Sequence, residues 1–185
     1  MSIHKEKLNI IDGDDNIIGQ ESREKIHRMG LLHREVHVWF FNRKGEVFLQ
    51  HRKKTAETFP DLLDVTVGGH VEIGDSYVST AIKETREETG VVITEHDLIE
   101  FIKQKRESYD PATGLNNRVI GFIYGFRYSG SEDELRGEEG IGFERWAVDE
   151  ILDLKDENIK KRFIPVIFSD YMTDVLKKIK NLNFN

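Results

Sequence analysis

Residues 68–91 read GGHVEIGDSYVSTAIKETREETGV. Within this stretch Ser76–Thr89 carries helix signals: Asp75-Ser76 are N-cap candidates, and Gly90 is a C′ glycine ahead of β-branched Val91-Val92-Ile93. Glu84, Glu87 and Glu88 then stand at i, i+3 and i+4, so one helical face carries three carboxylates. Hard oxygen ligands clustered this way suit Mg2+ or Mn2+. Taken alone, the pattern is also that of a solvated acidic face with Lys83 and Arg86 as partners. Context favours the metal reading. Asp64–Val67 predicts a short strand running into Gly68-Gly69, and the resulting loop–helix–loop can aim carboxylates and glycine carbonyls at one point.

Working outward, Leu8–Asp12, Gly13-Asp14-Asp15-Asn16 and Ile17–Gly19 predict a hairpin. Val36–Phe41 and Val47–Leu49 predict strands joined by the turn Asn42-Arg43-Lys44-Gly45. Further strands are expected at Val91–Ile93, Val119–Tyr128 and Phe143–Val148. Pro165 to about Leu182 predicts a helix, with Val166, Ile167, Met172, Val175, Leu176 and Ile179 near helical spacing. Trp39 and Phe41 alternate with Val38 and Phe40, so both faces of that strand are expected in the core. The class is α+β, a three-layer α/β/α sandwich. A single domain over 1–185 is expected, with its core at about 33–165, an N-terminal hairpin extension over 1–30 and a C-terminal helix over 165–183.

Composition narrows the function. The 185 residues carry a net charge of −7, which argues against a general nucleic-acid binder. There is no cysteine, so disulfides, zinc-thiolate sites and thiol nucleophiles are excluded. No run approaches the ~18 apolar residues of a membrane span, and the polar N-terminus lacks a signal-peptide stretch. A soluble, cytoplasmic protein without nucleic-acid or membrane partners is expected.

Gly69 is followed by five residues and Asp75, then by seven residues and Lys83-Glu84-Thr85-Arg86-Glu87-Glu88-Thr89-Gly90-Val91. This spacing resembles the signature of the Nudix hydrolase family, in which glycine, five residues, glutamate and seven residues precede R-E-U-x-E-E-x-G-U, U being aliphatic. It departs at Asp75 (for glutamate), Lys83 (for arginine) and Thr85 (for an aliphatic residue). The resemblance implies a Nudix fold, a mixed sheet flanked by helices. It also implies attack of water on a phosphoanhydride bond of a nucleoside-diphosphate-linked or related organic diphosphate. Glu84, Glu87 and Glu88 would hold Mg2+ (or Mn2+), with the Gly68 carbonyl as a further ligand. Gly69, Asp75, Lys83 and Gly90 would support the geometry. Glu87 is also a catalytic candidate, and Glu138 and Glu139 are candidates for a base outside the signature.

The stretch from His27 to Ser76 is further similar to isopentenyl-diphosphate isomerases and related hydrolases. That branch implies a metal on His27, His33 and His70. The isomerase also needs a cysteine just before the Gly-His histidine and two glutamates flanking one residue on a later strand. Here a glycine and Asn116-Asn117-Arg118 stand at those places, so isomerase chemistry is disfavoured. Substrate-contact candidates are Arg34, Arg52, Lys54, His70 and Arg118, with Lys53, His33 and His37 as further possibilities; solvated strand-end charges and locally satisfied histidines are the alternatives. A non-catalytic nucleotide-binding module is the third reading, and a homodimer is common among resembling proteins.

Overall fold

The computed structural model describes residues 6–56, 58–136 and 142–182. In chain order its elements are β1 (Lys7–Ile11), β2 (Ile17–Ser22), α1 (Arg23–Met29), β3 (His33–Phe41), β4 (Glu46–His51), β5 (Leu63–Asp64) and β6 (Val67–His70). Then come α2 (Tyr77–Thr89), β7 (Ile99–Asp110), β8 (Leu115–Arg127), β9 (Phe143–Ala147), α3 (Val148–Leu152), α4 (Glu157–Lys160) and α5 (Asp170–Leu182).

β3 is the spine of the main sheet. On one edge it pairs in parallel with β8, which pairs antiparallel with β7. Two strands share its other edge: β4 meets its end (Phe40↔Phe48) and β6 its first half (Glu35↔His70 to Val38↔Val67). Thr66 sits where that edge divides, accepting from the Phe40 N–H at 2.9 Å and donating to the Phe48 carbonyl. The sheet is therefore mixed. β1 and β2 form a separate hairpin, joined to the region before α2 by a bridge between Leu8 and Glu72.

Side-chain alternation along β3 builds two faces. Val36, Val38 and Phe40 pack with Ala81 of α2, while Trp39 and Phe41 pack with Val148 of α3 and Val175, Leu176 and Ile179 of α5. All of these side chains are buried. The α/β/α expectation is met, and Trp39 and Phe41 are core as expected. At the start of β3 the second face changes character: His33, Glu35 and His37 replace apolar residues, and a cleft opens there.

α2 forms where expected. The Ser76 and Ser79 hydroxyls each accept the other's backbone N–H, at 3.1 and 2.8 Å. Gly90 closes the helix at φ 74°, its N–H donating to Arg86 O; a Cβ there would lie 2.7 Å from the Arg136 carbonyl. Thr85, which stands where the signature has an aliphatic residue, is fully buried on the sheet side.

Two expectations need correction. Val91–Ile93 is not a strand: Val92 points outward, Ile93 is buried, and the chain passes through a 3-10 turn (Glu95–Asp97) before pairing as β7. The Pro165 helix is broken, because Ser169 is extended (ψ 157°) and separates a 3-10 turn, Pro165–Phe168, from α5. α1 and the long edge strand β7 are elements the sequence did not announce. No helix of the described residues is long and apolar enough to cross a membrane.

Candidate active site

The cleft is a cavity of about 400 Å3 lined by Glu84 and Glu88 of α2, Gly68, Gly69 and His70 of β6, and Arg52 after β4. Glu84 and Glu88 are successive inward positions of one helix face, so both carboxylates reach β6. Glu88 Oε2 accepts from the Gly68 N–H at 3.1 Å and from Gln50 Nε2 at 2.9 Å. Burial, reinforced by the Glu84 carboxylate, pushes the Glu88 carboxyl up to about 8. Burial and then Glu87 push Glu84 up to about 7. Two neighbouring carboxylates, the charge of Glu84 adding to the proton affinity of Glu88, match the donor set a hard divalent cation prefers. Gly69 has to be glycine, since a Cβ there would fall 2.5 Å from Glu84 Cδ.

The rest of the signature lies around this centre. Glu87 is half-buried and outside the cavity lining. Lys83 pairs with Glu72 at 2.8 Å, tying α2 to the loop before it, and Asp75 stands beside the helix N-terminus with Ser79 Oγ at 3.5 Å. Glu138 and Glu139 lie outside the described residues.

A second cluster borders the same cavity. α1 supplies His27, the start of β3 His33 and the end of β6 His70; one ring nitrogen from each can be chosen so that all lie within 4.8 Å of one another. His33 Nδ1 faces the Leu31 carbonyl at 2.9 Å and must donate, which leaves Nε2 a lone pair, buried and without a protein partner. Burial holds all three rings below the usual imidazole range, His27 at about 4. Neutral imidazoles suit a metal ion, and Leu31 fixes the His33 tautomer, while His27 Nε2 and His70 Nε2 share a hydrogen bond at 3.2 Å.

Of the expected substrate contacts, Arg52 and His70 line the cavity, as does Lys53 in place of Lys54. Arg52 Nη1 meets Asp64 at 2.8 Å, and Nε and Nη2 both meet the Thr58 carbonyl. Arg34 and Arg118 do not join them. Strand parity turns Arg34 to the α2 face, where it pairs with Asp15 at 2.6 Å; Arg118 reaches the Gly30 carbonyl and Glu107. Asn117, one residue earlier in β8, faces the cleft instead.

Sequence reasoning missed Glu35 and Arg106. They are ion-paired in the cleft wall, with Arg106 Nη2 also 3.1 Å from His37 Nε2. Burial alone would raise the Glu35 carboxyl, but Arg106 holds it far below its ordinary value. The parity of β3 offered one signal, since it places Glu35 between His33 and His37.

The NUDIX domain family matches residues 31–167. An uncharacterized Nudix hydrolase of Clostridium acetobutylicum is 26% identical over 161 residues, covering 85% of this chain and 77% of its own. An isopentenyl-diphosphate Delta-isomerase of Serratia proteamaculans is 24% identical over 174 residues, covering 94% and 91%. Among solved structures, a Deinococcus radiodurans protein superposes with a TM-score of 0.66 at 20% identity, covering 94% of this chain and 99% of its own. The NUDIX domain of Shewanella oneidensis NrtR, complexed with ADP ribose, gives 0.55 at 14% identity, covering 83% and 89%.

Proposed function

Because the chain belongs to the Nudix family, we propose that it is a divalent-metal-dependent hydrolase that cleaves the phosphoanhydride bond of an organic diphosphate by attack of water. The observation that carries this reading is the pairing of Glu84 and Glu88 in one cavity with Gly68 and Gly69, beside Arg52 and Lys53. Glu84 and Glu88 would hold Mg2+ or Mn2+, with Glu87 and the Gly68 carbonyl in support, and His27, His33 and His70 offer a second position. When bound, the metal supplies positive charge for the phosphates and an acidified water. Arg52 and Lys53 add fixed positive charge where the diphosphate lies, and Arg52 is already oriented by Asp64 and Thr58. His70, in the histidine group, also lines the cavity that holds Glu84 and Glu88. The isomerase reading is disfavoured by the missing thiol and by Asn116-Asn117-Arg118, which offers no carboxylate.

The test is phosphate or monophosphate release from nucleoside diphosphates, nucleotide sugars, dinucleoside polyphosphates and isoprenoid diphosphates, with and without Mg2+. Release from at least one substrate, lost with chelator, is expected. Metal-independent release, or none from any substrate, would overturn the proposal.

A further inference from the structure

Arg52 lines the cavity and opens a loop over 52–62, closed at its base by the Arg52 N–H donating to the Leu62 carbonyl at 2.9 Å. Its guanidinium is held on two sides. Nε and Nη2 both donate to the Thr58 carbonyl, at 3.1 and 2.8 Å, and Nη1 donates to Asp64 at 2.8 Å. A guanidinium carries its N–H groups in one rigid plane, so fixing three of them fixes the direction of the rest. The aim of Arg52 therefore depends on where the Thr58 carbonyl is held.

That carbonyl belongs to the same peptide group as the Phe59 N–H, which donates to Asp110 Oδ2 at 3.1 Å. One planar peptide thus joins a carboxylate to a guanidinium. Asp110 ends β7 and is buried. Its Oδ1 accepts from the Ala112 N–H and its Oδ2 also from the Thr113 hydroxyl, both at 2.9 Å, so the turn into β8 fixes the carboxylate in its turn. Burial alone would raise the Asp110 carboxyl, but the Phe59, Ala112 and Thr113 hydrogen bonds outweigh it and hold it below the ordinary value of 3.8. The backbone shows what this anchoring overcomes. Phe59 has φ 48° and Asp61 φ 61°, left-handed conformations that residues with side chains rarely adopt and that persist only where their surroundings over-determine them. Phe59 directly follows the peptide that Arg52 and Asp110 grip from its two sides.

We propose that Asp110 is a positioning residue for diphosphate binding: through the Thr58–Phe59 peptide it aims the Arg52 guanidinium into the cavity. Its effect on the ligand passes entirely through Arg52. The inference rests on the reading of Arg52 as a diphosphate contact and adds the residue that orients it.

A double-mutant cycle read by binding tests this without requiring turnover. The probe is methylenediphosphonate, a diphosphate analogue whose bridging carbon cannot be hydrolysed, titrated calorimetrically into the full chain with Mg2+. Asp110→Asn keeps size, but its one amide oxygen cannot accept from both Ala112 and Phe59, and it should weaken binding about tenfold. Arg52→Lys keeps the charge and loses the planar fork, and an ammonium has no plane to aim. In that background Asp110→Asn should cost no more than about twofold. A merely structural role for Asp110 would cost the same factor in both backgrounds. If Asp110→Asn fails to fold, Thr113→Val takes its place, removing only the hydroxyl that steadies the same carboxylate oxygen. It should cost about threefold beside Arg52 and nothing beside the lysine. Equal losses in the two backgrounds, no loss in either, or no binding of the analogue by the native chain would overturn the inference, even if Mg2+-dependent hydrolysis is brisk. The non-additive cycle without hydrolysis of any diphosphate would sink the hydrolase reading and sustain this one.

Discussion

The Glu84 carboxylate fills the space that a side chain on Gly69 would need, 2.5 Å from where that Cβ would lie. Gly69→Ala should therefore displace Glu84 rather than unfold β6, whose pairing to β3 uses backbone groups. Turnover should fall by at least about tenfold and the Mg2+ concentration for half-maximal rate should rise, with the melting temperature in chelator lowered by only a few degrees. Unchanged metal dependence would show that Glu84 is not a ligand.

Replacing Glu84 or Glu88 by glutamine removes charge at nearly constant volume. Turnover should fall by about a hundredfold or more, measured under saturating Mg2+. Mg2+ should raise the melting temperature of the native chain and not that of Glu88→Gln, because a ligand bound only to the folded state stabilises it. Since burial opposes the Glu88 charge, Glu88→Gln should melt no lower than the native chain in chelator. A large loss of stability there would make Glu88 a structural residue.

The glutamate face was legible because it is local. Glu84 and Glu88 are four residues apart on a helix whose caps, Ser76 and Gly90, are also written in the sequence. The cleft wall was not legible, because Glu35 and Arg106 are distant in sequence and meet only through the β3–β8–β7 pairing. β7 itself was hidden by its edge position: Lys103, Lys105 and Glu107 alternate with other polar residues, so no apolar stripe marks it. Parity explains the misplaced arginines. In β3 and β8 the neighbours Glu35 and Asn117 face the cleft, so Arg34 and Arg118 face away.

Asp15, at the hairpin turn, accepts from Arg34 at 2.6 Å and from Lys103 at 2.5 Å, pinning β1–β2 to the sheet. Burial alone would raise its carboxyl, but Lys103 and Arg34 outweigh that and hold it below the ordinary value of 3.8. A lowered folded pKa adds stability that is present above the unfolded value and is lost as pH falls through the folded one. Asp15→Asn, which tolerates the φ of 67° found there, should cost about 1–3 kcal/mol at pH 7. Denaturant midpoints from pH 7 to pH 2.5 should show the gap between the two proteins narrowing below pH 4. A constant gap would mean that packing, not the ion pairs, holds the hairpin.

Incubation with isopentenyl diphosphate and Mg2+ or Mn2+ should give no dimethylallyl diphosphate, followed by NMR of the vinylic protons. Moving that double bond requires one group to protonate the alkene and another to remove a proton on the far side. No cysteine exists in the chain, and the position before Gly69 is Gly68, which offers no side chain. On β8 the cleft-facing residue is Asn117, whose amide cannot exchange a proton at neutral pH, while Arg118 points toward Gly30 and stays charged. The His27, His33 and His70 cluster is common ground with the isomerase resemblance, but a metal held there cannot replace the missing acid and base. Phosphate release from the same compound is compatible with the Glu84–Glu88 centre. Isomerised product would overturn the hydrolase assignment.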